Sequence, residues 1–445
     1  MCGIVGYIGG KNATPIILEG LKKLEYRGYD SAGIAVIENE HVELRRDVGK
    51  LVNLEKLVDR QPLSGKIGIG HTRWATHGAP SAKNAHPHIG ETGDVVIVHN
   101  GIVENYLELK EELEAEGAHF NSETDTETIV HLIERYLGSD ISLEEAVRRS
   151  LQRIKGAHGI VVISSKEPDK IIAARIGNAG GVVIGYGEGE MFIASDIPAI
   201  LEYTRRMSFL ESQQMAVVTS ENATITTLDG KAVDTSIDII AWDPVAAVKG
   251  NYRHFMQKEI HEQARSLIDT LTGRVDFENN RIDLINLNLN AEKAKKINKV
   301  IITACGTAYH AGLVGKTLFE KIAKVPTEVD IASEFRYRDP LVDENTCVIT
   351  ISQSGETADT LAAMEEARSK KAMVFSIVNA IGSQAMRVAD GYISMQVGPE
   401  IGVASTKAFT APLVDLYLFA IYLAGLRGTL SEEERYHYIY DLRVI

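Results

Sequence analysis

The second residue of this 445-residue chain is a cysteine, and a cysteine in that position can do chemistry. Removal of Met1 would leave Cys2 with a thiol and a free α-amino group. The pKa of an α-amino group is about 7.7–8.0, so part of it is neutral at pH 7 and can accept the thiol proton. The apolar run from Ile4 to Ile8 predicts a strand that holds Cys2 rigidly. The alternative is that an early cysteine is incidental.

The segment HTRWATHG, residues 71–78, contains a second group of candidate residues. It follows an apolar strand, and functional residues often lie on such loops. Arg73 can bind a carboxylate through two parallel hydrogen bonds, and Trp74 is a candidate gate. The alternative is a structural loop that Trp74 anchors in the core.

Two further short segments have site-like compositions. A strand ends in Asn100-Gly101, whose side-chain amide and backbone N–H together suit an oxyanion hole, although a plain hairpin turn has the same composition. In SETDTE, residues 122–127, Thr124 and Glu127 have capping-box spacing, which places Asp125 at a helix start. The acidic run either only caps this helix or also binds a substrate cation through Asp125.

Taken together, these residues suit one kind of substrate, a free amino acid with an amide side chain. Arg73 would bind its α-carboxylate and Asp125 its α-ammonium group. Cys2 would attack the amide, and Asn100-Gly101 would stabilise the oxyanion. The set therefore predicts glutamine as the substrate.

Six motifs in order resemble the class II glutamine amidotransferase family: MCGIVGYIG, LEYRGYDSAG, HTRWATHG, NAHPH, VHNGIVEN and SETDTE. The resemblance implies an α+β Ntn-hydrolase fold, a four-layer αββα sandwich, which agrees with runs of predicted strands separated from runs of helices. It implies Cys2 as nucleophile and Asn100 and Gly101 as oxyanion hole. It places glutamine binding at Arg73, Trp74, Thr76, His77 and Asp125. His86 and His99 lie in matching motifs, and we expect both to be buried and hydrogen-bonded.

From Lys299 the pattern changes to apolar strands that alternate with helices, as in a doubly wound α/β sheet. Polar turns follow two of these strands, CGTA at 305–308 and SQSGET at 352–357. Their hydroxyls and the helix N-termini can bind a phosphate, although either turn alone could be a helix cap. No Walker lysine or GxGxxG motif accompanies them, so a nucleotide is not indicated. Before this region, a helix is predicted over about 252–272. Its apolar side contains Phe255, Ile260, Ala264, Leu267, Ile268 and Leu271.

The motifs CGTAYHA, IASEFRYR, SQSGETADT and EIGVASTKAF, with KEIHEQ before them, resemble the sugar-isomerase (SIS) half of the glutamine:fructose-6-phosphate amidotransferases. In that family, ammonia from glutamine converts fructose 6-phosphate to glucosamine 6-phosphate, and no metal or organic cofactor is implied. The family usually has serine at the position of Ala308, so one hydroxyl contact to the phosphate is expected to be lost. The resemblance implies a sugar-phosphate site formed by Thr307, Ser352, Gln353, Ser354 and Thr357, with Val403, Ala404 and Ser405 lining the sugar.

These resemblances predict the domain organisation. We expect a glutaminase domain over residues 2–220, its last strands and a linker over 221–250, and an SIS domain over 251–430. Residues 431–445 would begin a connection to a second SIS domain, so the glutaminase half should be intact and the synthase half incomplete. The alternatives are a related enzyme acting on another sugar phosphate or a fructosyl-amine, and a non-catalytic sugar-phosphate sensor.

Composition indicates the surroundings of the protein. A net charge of −14 disfavours nucleic acid or an anionic membrane as partner. The chain has only three cysteines, which lie far apart in the sequence, and this favours a reducing compartment. No secretory signal is evident, and the apolar segment Leu416 to Leu426 is about eleven residues, too short to span a bilayer. We expect a cytoplasmic protein, and the resemblance implies a homodimer formed through the SIS half.

Overall fold

The computed structural model describes residues 2–137, 141–240 and 250–444. The chain divides into two compact units, Met1–Ala241 and Trp242–Ile445. Within the segment 221–250, strands are present at Ala223–Thr227 and Asp238–Ile239. The rest of the linker expected there, residues 241–249, lies outside the described residues, as do Met1 and Ile445.

The first unit consists of two antiparallel sheets and the helices that cover them. Its strands are β1 (Gly3–Gly9), β2 (Ser31–Glu38), β3 (His41–Val48), β4 (Ile67–Arg73), β5 (His88–Ile89), β6 (Val95–Gly101), β7 (His158–Ser164), β8 (Ile171–Ile176), β9 (Val183–Tyr186), β10 (Glu190–Ala194), β11 (Arg206–Phe209), β12 (Gln214–Val218), β13 (Ala223–Thr227) and β14 (Asp238–Ile239). Its helices are α1 (Ala13–Leu24), α2 (Leu51–Arg60), α3 (Tyr106–Ala115), α4 (Thr126–Tyr136) and α5 (Leu143–Leu151). The strand orders are β14-β11-β9-β10-β1-β4-β2-β3 and β13-β12-β8-β7-β6-β5.

These elements form the four layers that the sequence predicted. One core lies between the two sheets and includes Ile4 and Val98, whereas a second core lies between the six-stranded sheet and α3–α5 and includes Ile97. Because β6 is covered on both faces, alternate residues of its apolar run enter different cores. Helix α1 packs on β1 and β4 at the outer face of the eight-stranded sheet. The αββα fold class is therefore confirmed.

The start of α4 differs in detail from the sequence prediction. The N-cap is Asp125, as expected for a residue at the helix start. The capping box between Thr124 and Glu127 is not formed, however. The buried Glu127 carboxylate instead accepts hydrogen bonds from the backbone N–H groups of Asn121 at 2.7 Å and Ser122 at 2.6 Å. It therefore fixes the segment that precedes the helix.

The second unit contains a five-stranded parallel sheet with helices on both faces. Its helices are α6 (Phe255–Leu271), α7 (Ala291–Lys296), α8 (Thr307–Leu318), α9 (Ala332–Phe335), α10 (Ala358–Ser369), α11 (Gln384–Val388), α12 (Lys407–Arg427) and α13 (Glu432–Asp441). Its strands are β15 (Val275–Asp276), β16 (Arg281–Ile282), β17 (Lys299–Ala304), β18 (Thr327–Ile331), β19 (Thr346–Ser352), β20 (Met373–Val378) and β21 (Gly391–Ser394). The parallel order is β18-β17-β19-β20-β21, so the doubly wound prediction is confirmed.

The predicted apolar face of α6 is correct at Leu267 and Leu271, which pack in the core, and wrong at the exposed Ile260, Ala264 and Ile268. Ile260 and Ile268 are 49% and 61% exposed, whereas Glu259 and Thr270 are buried. The buried polar groups have partners in neighbouring segments, since the Thr270 hydroxyl donates to the carbonyl oxygen of Met395 at 2.8 Å. Hydrogen bonds to these segments decide which side of the helix is covered.

Helix α12 is also longer than its apolar core suggested, because it continues N-terminally through Pro412 to Lys407 and has 21 residues. By length and composition this helix could cross a membrane, so the prediction that the segment is too short to span a bilayer was wrong. However, 61% of its most apolar 18-residue segment is buried inside the protein. At its centre the Asp415 carboxylate is fully buried and accepts a hydrogen bond from the Arg274 guanidinium at 2.7 Å. Burial of this kind is also found in the core helices of soluble proteins.

Candidate active site

Cys2 lies immediately before β1 and is partly exposed. The backbone N–H of Trp74, just after β4, donates to the Cys2 sulfur at 3.2 Å, and the thiol faces the Trp74 carbonyl oxygen at 3.6 Å. Strands β1 and β4 are paired neighbours, with Gly3 opposite Thr72. This register brings the residues that precede one strand and follow the other to the same end of the sheet.

The surroundings of the thiol act on its pKa in opposite directions. Burial raises the pKa of the Cys2 thiol and is the largest effect, and the Asp30 carboxylate adds to it. The Trp74 N–H and the Arg73 guanidinium lower that pKa. Because the net shift is upward, the thiol needs a base to become a nucleophile at neutral pH.

Asn100 and Gly101 end β6 beside Cys2. The Asn100 side-chain amide donates to the carbonyl oxygen of Cys2 at 3.2 Å and is 5% exposed. Gly101 has φ of +141°, and a Cβ there would lie 2.2 Å from the carbonyl oxygen of Ala157, so no larger residue fits without a shift. The structure thus brings a fixed amide donor to the nucleophile, as an oxyanion hole requires.

Arg73 and Asp125 both lie against the loop after β4. One Arg73 nitrogen, Nη2, donates to the carbonyl oxygens of His77 and Gly78. The other, Nη1, is buried and has no hydrogen-bond partner within the described parts of the chain. His77 lies 3.9 Å from an Asp125 carboxylate oxygen. A guanidinium donor and a carboxylate thus border the same loop, as the ends of a free amino acid require.

The remaining residues of this loop are the most exposed. Trp74 is 49% exposed, and its indole meets the Tyr29 ring edge-on at 5.4 Å between centroids. The Asp30 carboxylate accepts a hydrogen bond from the backbone N–H of Ala75. Thr76 lies in this loop and is exposed. The alternative, in which Trp74 anchors the loop in the core, is wrong, because its indole is half exposed.

The predicted phosphate loops of the second unit leave adjacent parallel strands, with Ala304 of β17 beside Ile351 of β19. Thr307 is the first residue of α8. In the other loop, Ser352 accepts a hydrogen bond from the Gly355 N–H at 3.0 Å. Both loops therefore lie at the carboxyl edge of the sheet, where ligands bind in this architecture.

The loop SQSGET is tightly folded around Gly355. This glycine has φ of +65°, and a Cβ there would lie 2.1 Å from the Ser383 hydroxyl oxygen. The hydroxyl oxygens of Ser352 and Thr357 lie 3.3 Å apart, and Ser354 accepts from the Glu356 N–H at 3.2 Å. Three hydroxyl groups and the start of α10 are thus gathered within six residues.

A second loop, residues 398–406, meets this one. The Gln353 side-chain amide reaches the carbonyl oxygen of Glu400 at 3.4 Å. Val403 is 81% exposed, and Ala404 and Ser405 follow it in the same loop. The structure therefore joins the SQSGET loop to the segment that the resemblance assigned to the sugar. Ala308 is partly buried and packs against the core of the second unit.

The sequence analysis gave no role to two buried glutamates that hold this loop. The Glu259 carboxylate, in KEIHEQ, accepts from the backbone N–H groups of Ile401 at 2.6 Å and Gly402 at 3.1 Å. The Glu400 carboxylate accepts from the N–H of Thr406 at 2.8 Å, just before α12. The only sequence signal for these two glutamates was that they lie in the motifs KEIHEQ and EIGVASTKAF. Helical periodicity could not indicate that their carboxylates bind backbone N–H groups of a loop.

Comparison with known proteins adds to this geometry. Residues 59–237 match a family model described as a glutamine amidotransferase domain, and residues 294–422 match one described as an SIS domain. The chain is 51% identical over 434 residues to glutamine–fructose-6-phosphate aminotransferase (isomerizing) of Clostridium tetani, covering 98% of this chain and 71% of the relative.

The chain belongs to the glutamine–fructose-6-phosphate aminotransferase family.

Another aminotransferase of this name, from Caldanaerobacter subterraneus, is 50% identical over 443 residues, covering all of this chain and 72% of the relative. The solved C-terminal domain of glucosamine-fructose-6-phosphate aminotransferase from Francisella tularensis is 38% identical, with a TM-score of 0.42, over 44% of this chain and 55% of that one. The relatives from Clostridium tetani and Caldanaerobacter subterraneus confirm the aminotransferase family that the sequence motifs predicted.

Proposed function

We propose that the chain is a glutamine-dependent aminotransferase that releases ammonia from glutamine and transfers it to fructose 6-phosphate, yielding glucosamine 6-phosphate and glutamate. The observation that carries the proposal is the first-unit site, where the Trp74 backbone N–H donates to the Cys2 sulfur and the Asn100 amide donates to the Cys2 carbonyl oxygen. Membership of the aminotransferase family supports the choice of acceptor. The two hydroxyl-rich loops at one sheet edge, which are candidates for binding its phosphate, also support it.

In the first step, the Cys2 sulfur attacks the side-chain amide carbon of glutamine. The thiol proton passes to the α-amino group and then to the leaving nitrogen, which departs as ammonia. Asn100 Nδ2 and the Gly101 N–H stabilise the oxyanion as it forms. Water then cleaves the thioester, which releases glutamate and restores the thiol.

The loop after β4 would bind the ends of the glutamine molecule. The free Nη1 of Arg73 would take the α-carboxylate, and Asp125 would take the α-ammonium group. His77 and Thr76 would contact the bound amino acid from the same loop. Trp74 would act as the gate, because its backbone N–H contacts the Cys2 sulfur while its indole is half exposed.

In the second unit, the phosphate of fructose 6-phosphate would bind the two loops at the carboxyl sheet edge. The hydroxyls of Ser352, Ser354 and Thr357, with Thr307 at the start of α8, are the donors for its oxygens. Gln353 would hold the neighbouring loop, and Val403, Ala404 and Ser405 would line the sugar itself.

The wider setting completes the proposal. The domains would run over 2–220 for the glutaminase, 221–250 for the last strands and linker, 251–430 for the SIS domain, and 431–445 for a following connection. The protein would work in the cytoplasm as a homodimer formed through its SIS half. Its net charge of −14 argues against nucleic acid or an anionic membrane as a partner.

The direct test uses the purified chain with glutamine labelled at its amide nitrogen. We expect glutamate to appear with glutamine alone. Formation of labelled glucosamine 6-phosphate after fructose 6-phosphate is added tests the synthase half separately. No release of glutamate would contradict the proposal for the first unit. Binding of fructose 6-phosphate without any release of glutamate would instead favour the sugar-phosphate sensor. Other sugar phosphates and a fructosyl-amine, tested in the same assay, separate the related enzymes.

Replacing Arg73 with lysine should raise the KM for glutamine. Lysine keeps the charge but cannot supply two parallel hydrogen bonds, and a charge-assisted bond contributes about 1.5–3 kcal/mol. The KM should therefore rise roughly 10- to 100-fold, with a smaller change in kcat. Steady-state glutaminase kinetics measure both. Arg60→Lys, at the exposed end of α2, is the matched control and should leave KM unchanged; an unchanged KM in Arg73→Lys would remove Arg73 from the site.

Replacing Thr357 with valine should weaken the binding of fructose 6-phosphate. Valine keeps the shape of the side chain but removes a hydroxyl that faces the Ser352 hydroxyl at 3.3 Å. The loss of one hydrogen bond to a charged phosphate should raise the Kd roughly 10-fold or more. Calorimetric titration measures this, and Thr272→Val, on the exposed C-cap of α6, is the control. Equal Kd values for the two variants would count against the phosphate site.

A further inference from the structure

A row of buried imidazoles runs through the first unit behind the candidate nucleophile. It contains His71, His86, His99 and His158, joined through the hydroxyl of Thr126. All five side chains are at most 5% exposed. Three of these residues were absent from the sequence-based site, and His86 and His99 were expected only to be buried and hydrogen-bonded. The row ends at Asn100, so it meets the proposed oxyanion hole.

The position of each proton can be traced from the far end of the row. His158 Nε2 faces the carbonyl oxygen of Lys155 at 3.1 Å, and a carbonyl only accepts, so this nitrogen carries the proton. In a neutral imidazole the other nitrogen, Nδ1, is then bare. It lies 3.0 Å from His99 Nε2, which must therefore donate to it. Nδ1 of His99 is bare in turn.

The same logic continues through the hydroxyl group. Thr126 Oγ1 lies 2.9 Å from the bare His99 Nδ1, so its single proton points there. The oxygen then accepts from His86 Nε2 at 3.0 Å, which leaves His86 Nδ1 bare. Both ring nitrogens of His71, Nε2 and Nδ1, lie 3.2 Å from that bare nitrogen, and Nε2 also lies 3.1 Å from Asn100 Oδ1. A proton on His71 Nε2 serves both acceptors.

The opposite end of the row requires the same arrangement. Asn100 Nδ2 donates to the Cys2 carbonyl oxygen at 3.2 Å, so Oδ1 must be the atom that faces His71. If the amide were rotated, its oxygen would face the Cys2 carbonyl oxygen and its NH₂ would face the proton of His71. Both contacts would then be repulsive. The Lys155 end of the row thus requires a proton on one of the two His71 nitrogens, and the Asn100 end selects Nε2.

The row is neutral at physiological pH. Burial lowers the pKa of His71, His99 and His158 to about 3, and it lowers the pKa of His86 well below the usual range. Each ring therefore carries one proton across the whole working range of pH. A neutral row has a single consistent proton arrangement, whereas a protonated ring would supply two donors and break it.

We propose that this hydrogen-bonded row, from the Lys155 carbonyl to His71, positions the Asn100 amide so that its NH₂ group faces the oxyanion formed at Cys2. The four histidines and Thr126 are positioning residues, because they act through Asn100 and do not touch the substrate. This inference rests on the proposed glutaminase function. It adds a set of residues that fix the orientation of the oxyanion-hole donor.

The decisive variants are Thr126→Val and Thr126→Ser. Valine has almost the same shape as threonine but can neither donate to His99 nor accept from His86, whereas serine keeps the hydroxyl. Removing an oxyanion-hole donor costs about 10²- to 10³-fold in kcat, so releasing its orientation should cost roughly 10-fold. We expect kcat for glutamine hydrolysis to fall in Thr126→Val, with KM unchanged because Arg73 and Asp125 are intact. Thr126→Ser should restore kcat.

A loss confined to structure would look different. An unchanged kcat in Thr126→Val would overturn the inference, and so would a rise in KM with kcat unchanged. A loss of kcat in Thr126→Val that serine does not restore would also overturn it. Thermal unfolding of the full chain, followed for both variants, shows that each is folded.

Nitrogen NMR of the full chain, labelled with ¹⁵N in histidine, tests the row without any activity. The hydrogen-bond pattern predicts the Nε2–H tautomer for four rings, those of His71, His86, His99 and His158. The signal of each ring is assigned by a variant that replaces that one histidine. Thr126→Val should change the form or the shift of His86 and His99. A bare Nε2 in any of the four rings would overturn the inference. If these forms are found but the chain hydrolyses no glutamine, the row stands and the proposed function fails.

Discussion

Alanine in place of Cys2 should lower the rate of glutamine hydrolysis by roughly 10³-fold or more, the largest effect expected for any single change in this chain. Alanine has no sulfur to attack the amide, so the thioester cannot form. The rest of the site keeps its geometry, because Asn100 contacts the backbone carbonyl of residue 2 and not its side chain. Glutamine should therefore still bind. Glutamate release and the Kd for glutamine measure the two effects separately.

Cys305→Ala is the matched control for this change. Cys305 is also a partly exposed thiol, but it belongs to the second unit, so its loss should leave hydrolysis intact. Intact-mass measurement with a glutamine-analogue electrophile should show one adduct in the unchanged chain and in Cys305→Ala. It should show none in Cys2→Ala. Hydrolysis that survives in Cys2→Ala would overturn the assignment of the nucleophile.

The second large effect concerns stability in the second unit. Arg274→Met should destabilise that unit by about 3–5 kcal/mol, because it leaves the Asp415 carboxylate buried without its cation. Asp415 is fully buried in α12, and its second oxygen already lacks a partner among the described residues. Hydrogen exchange of peptides from α12, read by mass spectrometry in the full chain, measures the local free energy of unfolding.

The size of this effect should depend on pH. Burial raises the pKa of Asp415 from its ordinary 3.8 to about 7, although Arg274 opposes the shift. The folded state therefore binds a proton more tightly than the unfolded state, so this group's stabilising contribution is present below pH 3.8 and lost as pH rises through about 7. Without Arg274 the pKa rises further, so the destabilisation should be largest above pH 7 and shrink as the carboxyl is protonated.

The double variant Arg274→Met with Asp415→Leu is the control for the ion pair. Replacing both charges with apolar side chains removes the uncompensated carboxylate, so much of the lost stability should return and the pH dependence should disappear. A single variant as stable as the double variant at pH 8 would show that the carboxylate is not the source of the destabilisation.

Much of the fold follows from local sequence patterns. Strand β6 was predictable because its apolar run is bounded by polar residues, and the helix start at Asp125 follows from the acidic run before α4. The face of α6 was not predictable by periodicity. Glu259 is buried because backbone N–H groups of a distant loop bind its carboxylate, and helical spacing gives no information about such partners.

The candidate site shows the same division. Residue types and motif order predicted that Cys2, Arg73, Asn100 and Asp125 form one site. In the structure, Asn100 contacts Cys2, and the loop that follows Arg73 contacts both Cys2 and Asp125. The contact between Gln353 and Glu400 joins loops 47 residues apart, and no local pattern predicts which loops meet. Contacts of this kind depend on sheet order, which spacing alone does not determine.

The contact between Trp74 and Cys2 also has a consequence for timing. The Trp74 N–H donates to the sulfur, and the N–H of Ala75 donates to Asp30, so the proposed nucleophile helps to hold the residues at the proposed gate. A thioester sulfur is a poorer hydrogen-bond acceptor than a thiol or thiolate. The hydrogen bond from the Trp74 N–H should therefore weaken once the acyl-enzyme has formed. The loop would then be held less firmly while Cys2 is acylated. Hydrolysis of the thioester would restore the hydrogen bond from the Trp74 N–H.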